Sequence, residues 1–234
     1  MQLTMTKIKL LLLLLFPTIL FSQAPRGFHI SAGMNYTSLD SKDLLSDPGI
    51  GYKIGTVFTF GYHESYNYQF EVFYNNRNVN LKTVNQSYEY DGTTKYSKSA
   101  IDLGLFLNYY ILKPDEDKFY FGPQAGLILS FGSGFTPSGG EDVNGQYYLP
   151  HLLDENSLTK AEKIDYGAGF GLTGGYNNFK FDLRYTLGLT NVLGPVETNS
   201  YNSNYTYTGP SLNGKINTFS FVVSYSLARL LGYE

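Results

Sequence analysis

Hydrophobic and polar residues alternate strictly along the segment that begins at Phe179. Every odd position from 179 to 189 is apolar, whereas the even positions are glycine or polar and include Lys180, Asp182 and Arg184. Successive side chains leave a β-strand on opposite faces, so a strand is the element that separates the two sets in this way. The segment therefore predicts a strand with one apolar face and one face that carries charges of both signs.

Seven other segments show the same alternation, and each keeps its apolar residues on one parity. The predicted strands are 28–37, 52–60, 68–77, 98–109, 119–130, 164–173, 179–191 and 219–227. Within the fifth strand, Pro123 lacks a backbone donor, which predicts a local irregularity there.

The connections between these segments alternate between long and short. The long ones are polar and the short ones are tight turns; the long ones cover 39–49, 82–94, 132–160 and 192–214, and the short ones 63–66, 113–118 and 177–178. This asymmetry is typical of outer-membrane barrels, which have short periplasmic turns and longer extracellular loops. The pattern predicts an all-β fold, an eight-stranded antiparallel up-and-down transmembrane β-barrel, with both termini on the periplasmic side.

Alternation alone also fits a soluble lipocalin-type barrel with its apolar face inside. The glycines lie mostly on the polar face, as expected of a narrow interior filled by side chains, and no cysteine pair or amphipathic helix is present to close a soluble barrel. Aromatic residues recur near segment ends, which fits two interfacial girdles. These are Phe28, Tyr36, Tyr52, Tyr62, Tyr68, Tyr74, Tyr109, Phe119, Tyr166 and Tyr176. We therefore predict that the apolar face meets lipid.

The N-terminus has the pattern of a secretory signal. Lys7 and Lys9 precede an apolar run that Pro17 interrupts and that ends at the small residue Ser22. This pattern predicts a signal peptide over 1–22 and a single barrel domain over 23–234. The chain has no cysteine, which excludes disulfides and thiolate metal sites, and its formal net charge of −3 gives no basic footprint for nucleic acid.

Three short motifs resemble the PorT-like outer-membrane β-barrel family. They are Arg184-Tyr-Thr-Leu-Gly-Leu-Thr-Asn191, Phe121-Gly-Pro-Gln-Ala-Gly126 and Ser31-Ala-Gly-Met-Asn-Tyr36. The resemblance spans nearly the whole mature chain, although the motifs mark strands rather than chemistry. It implies an eight-stranded barrel of the outer membrane, in a family with one namesake linked to protein secretion. The sequence departs from outer-membrane barrels at its end, where residues 228–234 follow Leu227 in place of a terminal aromatic residue.

The polar face of the predicted strands supplies a set of charged side chains to the interior. These are Lys53, Glu71, Arg77, Asp102, Asp165, Lys180, Asp182 and Arg184. Unpaired charges away from bulk water are costly, and an eight-stranded interior is just filled by side chains. We therefore expect an ion-paired polar network that plugs the lumen. A proton or ion path is the functional alternative.

Other motifs offer weaker candidates. Gly169-Phe-Gly-Leu-Thr-Gly174 matches the dinucleotide fingerprint, but that motif requires a helix after it and a strand is predicted instead. A calcium site at Glu141, Asp142 and Asn144 lacks the full EF-hand spacing.

A hydrolase or acyltransferase would need a histidine, a carboxylate and a nucleophile at the rim. His151, Asp154 and Ser138 could form such a trio, whereas His29 lies on a polar strand face and His63 at a tight turn. We expect loop residues to produce trios of this kind by chance. The sequence therefore predicts no enzyme, no catalytic residue, no cofactor and no metal.

The last long loop is the most suggestive candidate for binding. Tyr201, Tyr205 and Tyr207 lie there among Asn, Ser and Thr. Tyrosine gives broad contact area at low entropic cost, as in binding loops generally, although these residues could also just extend the aromatic girdle. We predict a monomer in outer-membrane lipid, with a protein partner at the loops or turns. Its role would be structural or interactive and accessory to secretion; the alternatives are a rim-active enzyme acting on lipid or peptide and a narrow solute pore.

Overall fold

The computed structural model describes residues 27–61, 63, 65–84, 89–113, 119–140, 149, 153, 157–196 and 212–227. The predicted signal peptide over 1–22 lies outside these ranges. The strands are β1 (Phe28–Ser41), β2 (Ser46–Phe60), β3 (Tyr66–Val84), β4 (Tyr90–Tyr109), β5 (Tyr120–Gly132), β6 (Thr136–Gly140), β7 (Ile164–Tyr176), β8 (Phe179–Gly188) and β9 (Gly214–Ser226). A 3-10 helix covers Ser157–Lys160. No helix in the described ranges is long and apolar enough to cross a membrane.

Eight of the described strands close into one antiparallel ring, as the sequence predicts. The order around the ring is β1, β2, β3, β4, β5, β7, β8 and β9, and β9 pairs back with β1. The short strand β6 pairs only with the start of β4, outside the ring. The stagger of the strands can be measured by moving from each residue to its cross-strand partner around the ring. Starting at Thr37 and passing through β9, β8, β7, β5, β4 and β3, this path arrives on β2 at Thr59. The direct partner of Thr37 is Gly49, ten residues away, so the strands are strongly staggered.

The apolar face of the ring points outward. Leu183 is 39% exposed and Phe221 46% exposed, although a soluble barrel would bury both, so the lipocalin-type alternative is wrong. Exposed aromatic residues lie toward the two ends of this surface, as expected of interfacial girdles. Tyr36, Tyr52, Tyr74 and Tyr166 are at the end with long connections, and Tyr68, Tyr109, Phe119 and Tyr176 at the end with short ones.

Two of the predicted long loops are mostly strand. β1 and β2 leave only residues 42–45 between them, and β3 continues to Val84 before β4 begins at Tyr90. Both hairpins extend beyond the apolar outer surface. Their outward residues are polar there, because this part of the strands faces water. The prediction of long loops over 39–49 and 82–94 was therefore wrong. The turn at Asn177–Asn178 is tight, as predicted, and Asn177 adopts a positive φ of 55° there.

The irregularity expected at Pro123 is present on one side of β5. The ladder between β4 and β5 stops at the pair Asn108–Gln124, and contact resumes as an isolated bridge between Leu112 and Phe121. On the other side, Pro123 stays in register with Leu172. The missing backbone donor therefore interrupts only the pairing with β4.

An apolar core, here called the cap, lies at the end of the barrel with long connections. It combines buried residues of the strand extensions with residues of the connections: Leu39, Leu44, Val79, Leu81, Tyr96, Phe135, Leu149, Leu153, Leu158, Ala161, Val192, Leu193, Val196, Leu212 and Ile216. Backbone hydrogen bonds hold the connections in place, from Phe135 N to Leu158 O (3.0 Å) and from Val192 N to Gly214 O (2.8 Å). The described parts of the third and fourth long connections are thus folded onto the barrel mouth.

Candidate functional site

The interior of the ring is polar and charged. Strand alternation turns all eight predicted charged residues inward, and each is no more than 8% exposed. With Lys98, the described interior holds five buried Lys and Arg side chains and four buried Asp and Glu side chains. Because these groups have left bulk water, their partners decide what the interior can do.

Arg184 of β8 is the centre of the first cluster. Its guanidinium donates two hydrogen bonds to the carboxylate of Glu71, at 2.7 and 2.8 Å, and a third to Gln124 Oε1 at 2.7 Å. Gln69 donates to the same carboxylate at 2.5 Å. A bidentate pair of this kind is strong and directional, so it fixes two opposite walls of the barrel to each other.

A second ion pair extends this cluster toward the end with short turns. Lys180 and Asp182 are two residues apart on β8, and the ammonium lies 2.5 and 2.6 Å from the two carboxylate oxygens. Gln124 Nε2 donates to Asp182 Oδ1 at 3.1 Å while its oxygen accepts from Arg184. A single amide thereby connects the two ion pairs into one network.

Phe106 packs inside this network although its neighbours are charged. The Arg184 guanidinium carbon lies 3.5 Å from the centre of its ring, which is a close cation–π contact. A Cβ at Gly104 or Gly169 would approach the Phe106 ring to 2.9 Å, closer than carbon atoms pack. These two glycines therefore make room for the ring and for the cation that it supports.

Arg77 of β3 is the centre of the second cluster, nearer the cap. It donates to both oxygens of Asp102 at 2.8 Å, to Ser130 Oγ at 2.9 Å and to Asp165 at 3.3 Å. Asn75 adds a hydrogen bond of 2.7 Å to Asp102. Three strands are joined to Arg77 in this way, so the second cluster also spans the lumen.

Lys98 is an interior residue that our sequence-based set did not include. Its ammonium donates to the backbone oxygens of Ser133 (2.7 Å) and Glu162 (2.6 Å) and lies 3.6 Å from Asp165. The alternation of β4 places it on the polar face, but the residues that it binds follow β5 and precede β7, where no local pattern marks them. Lys98 thus joins the second cluster to the connections beneath the cap.

Lys53 differs from the other interior cations. Its ammonium lies 4.1 Å from the centre of the Phe73 ring, and no carboxylate of the described chain lies within 4 Å of it. The residue is only 4% exposed. The predicted polar set is therefore gathered in one interior, but its members are not all paired.

The remaining candidates do not form a site in the described ranges. Gly169–Gly174 lies within β7 and is followed by a turn and β8, so it lacks the helix of the dinucleotide motif. His29 is buried with Nδ1 3.1 Å from Gly27 O, and His63 stacks on Tyr66 at 4.7 Å. No group of three or more His, Cys, Asp or Glu that could hold a metal is present among the described residues.

Several predicted residues lie outside the described ranges. They are His151 and Asp154 of the catalytic trio, Glu141, Asp142 and Asn144 of the calcium candidate, and Tyr201, Tyr205 and Tyr207 of the last loop. Ser138 is described; it lies on β6, where its hydroxyl is 3.4 Å from Lys95 O.

Comparison with solved structures returns outer-membrane proteins at low sequence identity. Neisserial surface protein A is 13% identical with a TM-score of 0.43, covering 86% of this chain and 97% of its own. Ail, the attachment invasion locus protein of Yersinia pestis, solved with the heparin analogue sucrose octasulfate, is 13% identical with a TM-score of 0.40, covering 85% and 96%. OprG of Pseudomonas aeruginosa is 11% identical with a TM-score of 0.39, covering 86% and 96%.

Among curated protein sequences, none matches this chain. A family model does match: the outer membrane protein beta-barrel domain, over residues 21–194. That range includes β1 to β8 and all nine charged interior residues named above. The closed ring, its apolar outer surface and this match agree on one placement. The chain belongs to the outer membrane protein beta-barrel domain family and is a protein of the outer membrane.

Proposed function

We propose that this protein is a non-conducting, non-catalytic barrel whose function is to bind a partner at its capped end. The observation that supports the proposal is a set of contacts across the lumen and over one end of it. Two ion-paired clusters cross the interior, around Arg184 and around Arg77, and the apolar cap covers one end. In this proposal the capped end faces the cell exterior, because longer loops are extracellular in outer-membrane barrels.

Planar-bilayer recording tests the closure. The purified barrel should insert without steady conductance steps, since salt bridges span the lumen at two levels. A porin inserted into the same bilayer serves as the positive control. Steady single-channel steps from the wild-type chain would contradict the plug and favour the narrow-pore alternative.

The cap supports a binding role because it presents the last long loop from an ordered base. Val196 and Leu212, which flank residues 197–211, are 2% and 0% exposed within the cap. Asn191 Nδ2 donates to Leu212 O at 3.1 Å, and Asn213 N donates to Asp43 at 2.8 Å. We propose that Tyr201, Tyr205 and Tyr207 contact the partner from this base.

Affinity capture from native outer membranes tests the loop. Residues 197–211 are replaced by a glycine-serine linker of the same length, which leaves the buried flanking residues in place. The matched control carries a glycine-serine exchange over residues 85–88, which lie in the sequence between β3 and β4. A partner captured by the wild type and the control but not by the loop variant supports the proposal; equal capture by all three contradicts it.

We further propose, on the PorT-like resemblance, that the role is accessory to protein secretion. Cells lacking the chain should release less secreted protein, and the wild-type gene should restore the amount. The variant with residues 197–211 replaced should not restore it. Unchanged secretion in cells lacking the chain would contradict this part of the proposal alone.

The non-catalytic part has a separate test. If the barrel were a rim-active enzyme, His151→Ala would abolish a hydrolase or acyltransferase activity on lipid or peptide substrates. We expect the purified wild type to have no such activity to lose. An activity that is present in the wild type and absent from His151→Ala would overturn this part.

A further inference from the structure

Lys53 is the interior cation that has no carboxylate within 4 Å among the described residues. Each of the other four has a carboxylate within 4 Å: Arg184 with Glu71, Arg77 with Asp102, Lys98 with Asp165, and Lys180 with Asp182. Lys53 has none among the described residues, and its ammonium lies 4.1 Å from the centre of the Phe73 ring. A buried ammonium that lacks an acceptor is costly, so this position requires a further partner.

A small polar cavity adjoins Lys53. Its volume is about 20 Å³, and its lining includes two cations, Lys53 and Arg77, two carboxylates, Asp102 and Asp165, and the side chains of Thr186 and Ser220. The hydroxyl groups of Thr186 and Ser220 have no hydrogen-bond partner among the described groups. The cavity therefore places an unpaired ammonium beside hydroxyl donors that are also unused.

The size of the cavity limits what can occupy it. A single water molecule needs roughly 10–15 Å³, so the space fits one or two waters or one monatomic ion. A phosphate, a sulfate or an organic carboxylate is too large. A cation is disfavoured, because Lys53 and Arg77 both line the cavity, and the two carboxylates that line it, Asp102 and Asp165, already bind Arg77.

We propose that this cavity is a binding site for a single monatomic anion of the size of chloride, held by the Lys53 ammonium and the hydroxyl groups of Thr186 and Ser220. The anion brings the buried charge of the interior to balance, because it adds one negative charge to four carboxylates and five cations. The site is independent of any partner at the cap. It would persist if the proposed binding function were wrong.

Bromide is the probe for this site, because it replaces chloride and gives an anomalous X-ray signal. Crystals of the full chain grown in sodium bromide should show an anomalous peak in the cavity beside Lys53 Nζ. The peak should vanish in Lys53→Met and persist in Lys82→Met, a change of a surface cation that pairs with Asp47. An electron-density peak without anomalous signal is a water molecule and overturns the proposal, as does a bromide peak that persists in Lys53→Met.

A solution measurement keeps the proposal testable without crystals of the variant. The thermal midpoint of the wild type in detergent should rise with sodium chloride and not with sodium gluconate at equal ionic strength, because gluconate cannot enter the cavity. Lys82→Met should behave as the wild type, and Lys53→Met should respond equally to both salts. An equal response of the wild type to both salts would overturn the proposal.

Discussion

The barrel wall and the cap have opposite arrangements of apolar and polar residues on the same strands. Along the wall part of β3, the apolar Tyr74 points outward and the charged Arg77 points inward. Four residues after Arg77 the arrangement is reversed, because Leu81 is buried inside and Lys82 is partly exposed outside. The inversion has a physical cause. The wall of the barrel separates lipid from a polar interior. The strand extensions beyond the wall separate water from the apolar interior of the cap.

The same inversion occurs on other strands at one level of the barrel. The inward residues change from polar to apolar between Thr37 and Leu39 on β1, between Lys98 and Tyr96 on β4, and between Thr218 and Ile216 on β9. We infer that the boundary between hydrocarbon and water on the capped side lies near this level, because the outward residues of β1 also change there, from Tyr36 to Ser38. The comparison shows that the two parts of one strand can have opposite apolar faces, because one part lies in lipid and the other in water.

The largest effect is expected from breaking the wall interior at Arg184. Arg184→Leu leaves the Glu71 carboxylate buried with no cationic partner in direct contact, which should cost about 4 kcal/mol of barrel stability. Unfolding in a urea series with lipid vesicles, followed by the gel mobility of the folded barrel, measures this. The double variant Arg184→Leu with Glu71→Leu should recover most of the loss. A single variant as stable as the wild type would contradict the ion-pair network.

The next effect is expected in the cap and should be confined to it. Leu158 is fully buried in the 3-10 helix, so Leu158→Ala should cost about 3 kcal/mol in the stability of the cap. Limited proteolysis should then cut the connection 132–160 faster while the gel mobility of the barrel stays unchanged. Lys160→Ala, two residues further on and exposed, is the control. Loss of the whole barrel would show that cap and wall are not separable.

A third prediction compares the two outer faces directly. Leu183→Arg places a charge against lipid and should cost roughly 2–4 kcal/mol, depending on depth. Asn80→Arg places the same charge on the outer face of the strand extension, beyond the apolar surface, and removes one hydrogen bond from Asn80 Nδ2 to Pro48 O at 3.1 Å, so it should cost no more than about 1 kcal/mol. Urea unfolding in vesicles checks both. Similar costs at the two positions would place the lipid boundary elsewhere.

The smallest effect is expected at the ring that supports Arg184. Phe106→Leu keeps an apolar side chain between Gly104 and Gly169 but removes the cation–π contact, which should cost about 1 kcal/mol. Phe170→Leu, on the lipid-facing surface, is the matched control. In a double-mutant cycle, the cost of Phe106→Leu should disappear when Arg184→Leu is already present. An unchanged cost in that background would assign the effect to packing alone.

The sequence predicts the ring strands because lipid enforces alternation at every second residue. The alternation no longer predicts the strand beyond the apolar surface, because the apolar positions of β3 change from the even parity of Tyr74 to the odd parity of Val79. The cap was missed for a related reason, since Leu149, Leu153 and Leu158 are isolated apolar residues in polar connections. Such residues reveal a core only when the fold brings them together.

The composition of the interior could be predicted, but its pairing could not. Alternation turns Glu71 and Arg184 inward, yet the two residues are 113 positions apart. Whether they meet depends on the stagger of the strands around the ring, which no single strand encodes. The same dependence leaves Lys53 beside an aromatic ring instead of a carboxylate.

The pairing of Leu39 with Ile216 ties the cap to the order of folding. The two residues face each other across the seam between the first and last strands, and both belong to the apolar core. A chain in which β1 and β9 have not yet paired therefore cannot assemble this core. Its leucines stay in contact with water until these two strands pair. Pairing of the first and last strands and burial of these leucines therefore occur as one cooperative event. This coupling makes partly inserted intermediates less stable and favours pairing of the last strand.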